Sequence, residues 1–210
     1  DIDIDAAEIY VEQGTDDKNL VVRTYGCKEK YYKGDMNKDT LQIQYEIHKQ
    51  FPDNYDAQIV IEIPEKMTFD TMDFDIGAAD ADFASGSVNC RTMELNVGAG
   101  ELTGADFAVT GTLDIKLGAG DIDLEGGTYK DIKLDCGMGS FALDGIVAEN
   151  VKAHCGMGDG SITLRGREED NLAWLEKLHP LFMDSVPLTL EEIFIYELGG
   201  VDDAVRKNVL

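Results

Sequence analysis

Two cysteines sit in nearly identical surroundings: Cys136 in Asp-Cys-Gly-Met-Gly and Cys155 in His-Cys-Gly-Met-Gly, 19 positions apart. Thiols at a fixed spacing can bridge, bind metal or act as nucleophiles, and each chemistry makes its own demand. A disulfide needs a dihedral angle that in-register parallel strands do not favour. Zinc wants four N or S ligands, and the chain has no Cys-x-x-Cys. A Cys–His nucleophile fails on a strand, because His154 and Cys155 would then face opposite ways. The two thiols therefore read as small buried hydrophobes, in a column where other repeats carry Ile, Val or Leu. Cys27 and Cys90 are far apart, and their pairing stays open.

The remaining candidates are weaker. His48, His154 and His179 are the three histidines, and none has a Ser/His/Asp context. With 42 Asp and Glu, carboxylate pairs at glycosidase spacing arise by chance. A ladder of Asp73, Asp75, Asp114 and Asp135 could attract calcium. Lys116, Lys133 and Lys152 interrupt it, and the nine-residue Gly-Gly-x-Gly-x-Asp period of calcium β-rolls is absent. No catalytic, cofactor-binding or metal-binding residue is assigned, so the expectation is a non-enzymatic protein without a cofactor.

What would position such residues is a repeat. Corners fall at Gly77-Ala78-Ala79, Gly98-Ala99-Gly100, Gly118-Ala119-Gly120, Gly137-Met138-Gly139 and Gly156-Met157-Gly158, at intervals of 21, 20, 19 and 19 residues. Between them apolar and polar residues alternate. Met72/Phe74/Ile76, Met93/Leu95/Val97, Leu113/Ile115/Leu117, Ile132/Leu134/Cys136 and Val151/Ala153/Cys155 precede the corners. Ala81/Phe83, Leu102, Ile122/Leu124, Phe141/Leu143 and Ile162/Leu164 follow them. Period-two alternation is a strand with one buried face, and a unit this short cannot bury that face alone. The prediction is an all-β, single-stacked β-solenoid of about 20-residue coils, with five coils over 69–166. Asp159-Gly160 adds two residues to the last repeat and is expected to form a bulge or wider corner. Tyr129 is the main outward aromatic expected in the repeats.

Over 1–68 the alternating segments Asn19–Gly26, Thr40–His48 and Ala57–Pro64 predict antiparallel strands and hairpins that enter the first coil. Asp1-Ile2-Asp3-Ile4-Asp5-Ala6-Ala7-Glu8 reads like Asp73-Phe74-Asp75-Ile76-Gly77-Ala78-Ala79-Asp80, so the chain opens in mid-pattern, and a signal or anchor is expected upstream. Residues 167–210 predict a short C-terminal helical cap. Leu172, Leu175 and Leu178 have helical spacing, Pro180 limits that helix, and a second begins at Thr189-Leu190-Glu191-Glu192. Leu190, Ile193 and Phe194 on its apolar side could cover the last coil or join two copies as a homo-oligomer.

A formal charge of −24 repels nucleic acid and anionic lipid, so neither is expected as a partner. Without eighteen consecutive apolar residues, no direct membrane insertion is expected. A hydrophobic content of 43% in strict alternation argues for a packed chain over a disordered one.

Ile59-Val60-Ile61-Glu62-Ile63-Pro64, followed by coils such as Leu117-Gly118-Ala119-Gly120-Asp121-Ile122, resembles the bacterial putative-adhesin family, β-strand-repeat domains of unknown function, over residues 1–169. The resemblance implies an adhesion or scaffold module at the cell envelope or surface, with a protein or glycan ligand; a cytoplasmic location stays open. Leu178-His179-Pro180-Leu181-Phe182 and the run 187–197 resemble the C-terminal segment of ABC-transporter ATPase subunits, which implies a transporter-associated module as one alternative. No Gly-x-x-x-x-Gly-Lys-Ser/Thr loop is present to bind ATP. A carbohydrate-active solenoid enzyme is the other alternative.

Overall fold

A computed structural model describes residues 1–16, 18–47 and 57–165. The chain divides into Asp1–Trp174 and Leu175–Leu210, and the described residues all belong to the first unit. The predicted helical cap, the ABC-type tail and the oligomerisation residues Leu190, Ile193 and Phe194 lie outside the described residues.

Each coil lays one strand in each of two facing sheets. Before the Gly-x-Gly corners run β7 (Phe69–Ile76), β9 (Asn89–Val97), β11 (Ala108–Leu117), β13 (Thr128–Cys136) and the second half of β14 (Ser140–Cys155). After the corners run β8 (Ala81–Phe83), β10 (Glu101–Ala105), β12 (Asp121–Glu125), the first half of β14 and β15 (Asp159–Leu164). All of these pair in parallel with the equivalent strand of the next coil. We call the first set sheet A and the second sheet B. The predicted β-solenoid is present.

The inward column is continuous. Phe74 pairs with Leu95, Leu95 with Ile115, Ile115 with Leu134 and Leu134 with Ala153. The first four are buried, and Ala153, on the last rung, is exposed. Full burial of each such side chain contributes about 1.5–3 kcal/mol. Phe83 of sheet B bridges the two sheets edge-on, its ring centroid 5.0 Å from Phe74 and 5.4 Å from Phe107.

The first third departs from expectation. β3 (Val21–Tyr25) on β6 (Gln58–Pro64) and β4 (Tyr32–Asn37) on β5 (Thr40–Tyr45) are antiparallel, as predicted. The other strands there are not. β1 (Ile2–Ile4) runs parallel between β5 and β7, and β2 (Glu8–Gly14) runs parallel between β6 and β8. Residues 1–64 therefore supply two further rungs, stacked out of sequence order: β5/β6 outermost, then β1/β2, then the five repeats. The likeness of Asp1–Glu8 to Asp73–Asp80 is this stacking, since Ile2 pairs with Phe74 and Ile4 with Ile76. β3 and β4 end the two sheets, and their mostly polar, exposed faces shield edges that would otherwise template aggregation.

The corners explain their glycines. None of the corner residues has positive φ. Successive corners stay hydrogen-bonded, with Ala99 N–H donating to Gly77 O and Ala119 N–H to Gly98 O, both at 2.8 Å. A Cβ at Gly98, Gly118 or Gly137 would meet the preceding corner's carbonyl oxygen at 2.5, 2.6 or 2.8 Å, and at Gly100, Gly120 and Gly139 closer still. Backbone-on-backbone stacking, not left-handed geometry, demands glycine here. The return turns from sheet B to sheet A are the left-handed ones, with φ of 53° at Asp106, 65° at Gly126 and 61° at Gly145.

Asp159-Gly160 does not bulge. Asp159 pairs with Ser140 and Gly160 with Phe141, so Gly160 takes an inward position against the Phe141 ring. Both lie 19 positions from their partners, the offset already set by the Gly137 and Gly156 corners, so they are ordinary members of the ladder. The irregularity comes later, where Leu143 to Ile146 faces Ile162 to Leu164 and β14 carries the extra residue, beside Gly145. A Cβ at 160 would have no room against the Phe141 ring.

Candidate functional site

The solenoid turns two broad faces outward, and their charge differs. On sheet A, one outward row runs Asp3, Asp75, Asn96, Lys116, Asp135, His154. Its neighbour runs Asp73, Glu94, Asp114, Lys133, Lys152. The ladder predicted from Asp73, Asp75, Asp114 and Asp135 is thus split over two rows and broken by lysines, as the spacing suggested. Among the described residues, two ion pairs join charges here. Lys116 Nζ bonds Glu94 Oε1, which pushes the Lys116 pKa up and the Glu94 pKa down. Arg91 clamps Asp70 through Nε (2.6 Å) and Nη2 (3.1 Å).

Sheet B is different. One row carries Glu101, Asp121, Ser140, Asp159, and the next Asp82, Thr103, Asp123, Ala142, Ser161. Glu125 and Asp144 are stacked beyond them, and Glu8 and Glu12 continue the face on β2. No Lys, Arg or His occurs in β2, β6, β8, β10, β12, the first half of β14 or β15. The exception at the border is Arg23 of β3, ion-paired to Glu62. Like carboxylates one rung apart, about 4.8 Å, repel. Part of that cost is offset by backbone donors: Glu101 N–H reaches Asp80 Oδ1 at 3.0 Å and Ser140 N–H reaches Asp121 Oδ1 at 3.2 Å. Reading the sequence missed this segregation; its signal was the lack of basic residues in every post-corner strand.

On sheet A, carboxyls also crowd around Asp3. Burial first, then Asp75, Glu46 and Asp5, raise its pKa above the ordinary 3.8, against a lowering hydrogen bond from Gln44. A carboxyl whose folded pKa is raised loses stability as pH climbs through that value. Asp3→Asn is therefore expected to raise the denaturation midpoint at pH 7, with the gain fading as pH falls through the raised folded pKa and gone below 3.8, where the wild-type carboxyl is protonated in both states. Urea melts across that range check it; a gain independent of pH would remove the electrostatic explanation.

Among the other sequence candidates, Tyr129 is corrected: it is buried, in register with Val109, and its phenol pKa is raised by that burial. It offers no sugar-stacking platform. All four cysteines are free thiols. Burial pushes Cys90 up to about 11 and Cys136 to about 11, the latter also through contact with the Cys155 thiol. Cys27 Sγ donates to Gln58 O at 3.6 Å. His154 is exposed on the outer row, one residue from inward Cys155, so the two face apart. His48 and His179 lie outside the described residues. Among the described residues, no three His, Cys, Asp or Glu side chains converge on a point that could hold a metal ion, and no helix is long and apolar enough to cross a membrane.

Comparison with known proteins places the chain by family. The Toastrack DUF4097 family matches residues 1–173, and the chain belongs to it, in line with the adhesin-type resemblance of its repeats. No match was found among curated proteins. Similar solved structures include a putative cell adhesion protein from Clostridium sporogenes, with 12% identity over 78% of this chain and 91% of that one, TM-score 0.49. Another is a putative adhesin from Bacteroides fragilis, with 18% identity over 78% of this chain and 90% of that one, TM-score 0.41.

Proposed function

We propose that this member of the Toastrack DUF4097 family is a non-enzymatic adhesion or scaffold module of the cell surface or envelope, and that sheet B is its binding face. The observation that carries the reading is that the strands of that face carry carboxylates and no basic residue, whereas lysines and an arginine are interspersed among the carboxylates of sheet A. A flat face bearing one sign of charge selects partners with the opposite sign and speeds their encounter more than it tightens the final complex. The partner is a basic protein surface or a cationic glycan. The surface location is supported by the repeat's adhesin-type resemblance.

The test compares two sets of neutralising variants of equal size. Asp82→Asn, Glu101→Gln, Asp121→Asn and Asp123→Asn remove four charges from sheet B; Asp73→Asn, Asp75→Asn, Asp114→Asn and Asp135→Asn remove four from sheet A. Binding to immobilised poly-lysine and to polyglucosamine is measured between low and physiological salt. The sheet B set is expected to weaken binding at least about tenfold more than the sheet A set, with a shallower salt dependence. Equal weakening by both sets would show that net charge alone governs binding and would refute a dedicated face.

A further inference from the structure

We propose that the last two coils bind one soft monovalent metal ion of the copper(I) class between the Cys136 and Cys155 thiolates, with Met138 and Met157 at the corners through which it enters. Cys136 and Cys155 are register partners on the inward column. The same column carries Ile4, Ile76, Val97 and Leu117 in the preceding rungs, so sulfur replaces hydrocarbon only at this end. The Cys136 thiol is turned into the space between the two coils. It donates to Gly139 O at 3.1 Å, and a Cβ on Gly158 would lie 3.2 Å from its Sγ. Cys155 is half-buried, which leaves the pair reachable from outside.

A second change occurs in the same two corners. The middle corner residue is Ala78, Ala99 and Ala119 in earlier coils, then Met138 and Met157. These side chains are 62% and 80% exposed, so packing does not explain them. Two thiols and two thioethers thus occur at two adjacent corners; such soft donors suit copper(I) and not calcium, and two thiolates fall short of the four N, S or carboxylate ligands that a structural zinc takes.

The dihedral angle of a disulfide is not favoured between in-register parallel strands, and both thiols are free. An ion held between the two sulfurs makes no such dihedral demand. On binding, each S–H bond breaks, its proton passes to solvent, and two S–metal bonds form. No electron is transferred.

The full chain is titrated with silver(I) nitrate in chloride-free buffer, and with copper(I) against a colorimetric chelator, stoichiometry being read by native mass spectrometry. One equivalent is expected. Cys136→Val and Cys155→Val, which install the hydrophobe of other coils, should each weaken binding at least about 100-fold, and Met138→Ala with Met157→Ala about tenfold. Cys27→Ser should leave binding unchanged. In the wild-type chain, bound silver should shield Cys155 but not Cys27 from alkylation, a readout that needs no variant to fold. Absence of a stoichiometric complex, valine variants that bind like wild type, or a Cys136–Cys155 disulfide forming under oxidised glutathione in place of metal uptake would each overturn the proposal.

Discussion

Gly120→Ala is expected to destabilise the protein by about 3 kcal/mol or more, at the upper end of what overpacking costs. The added Cβ lands on the Gly100 carbonyl oxygen. That carbonyl cannot retreat, because it accepts from Asp121 N–H at 3.0 Å and so holds the two corners together. Its neighbour provides the control. Ala119→Met is expected to change stability by no more than about 0.5 kcal/mol, because that column points outward and already holds Met138 and Met157. Urea denaturation midpoints at constant slope measure both. Equal losses from the two substitutions would mean that close approach is not what glycine serves at these corners.

Leu95→Ala should cost about 3–4 kcal/mol, within the range for a fully buried leucine. Leu95 lies between Phe74 and Ile115 in mid-stack, so rungs on both sides must collapse to fill the cavity. Leu164→Ala, at the last described rung and only partly buried, should cost less than about 1 kcal/mol. A stack also predicts how losses combine. Leu95→Ala with Ile115→Ala should deviate from additivity by at least about 0.5 kcal/mol, whereas Leu95→Ala with Ile43→Ala, several rungs away, should add. If distant and adjacent pairs combine alike, the one-dimensional picture of the core fails.

Much of this was legible in the residues. The alternation around Leu95, Ile115 and Leu134, and the corner glycines some twenty positions apart, carry the rung, its inward face and its repeat length, because side-chain alternation is a local property of a strand. The lysine interruptions at 116, 133 and 152 were legible for the same reason. Tyr129 misled because counting back in twos from inward Ile132 turns it outward, whereas the strand breaks its alternation between the two residues, at the register irregularity facing Val109 and Thr112, and buries both. Asp159-Gly160 misled because matching apolar residue to apolar residue placed Ile162 over Phe141, whereas the count from the corners places Gly160 there, and a glycine in an inward position does not announce itself as part of the apolar column.

By itself, then, the order of amino acids determined the coil, its buried face and the positions that must be glycine. Only the folded molecule decided which rung lies beside which: β1 enters between β5 and β7 and β2 between β6 and β8, which joins strands without basic residues into one face. The physical reason is that a parallel rung chooses its neighbour across tens of residues, by hydrogen bonds any strand could offer. A periodic pattern specifies that stacking happens, while loop reach and the burial of every apolar face select the order.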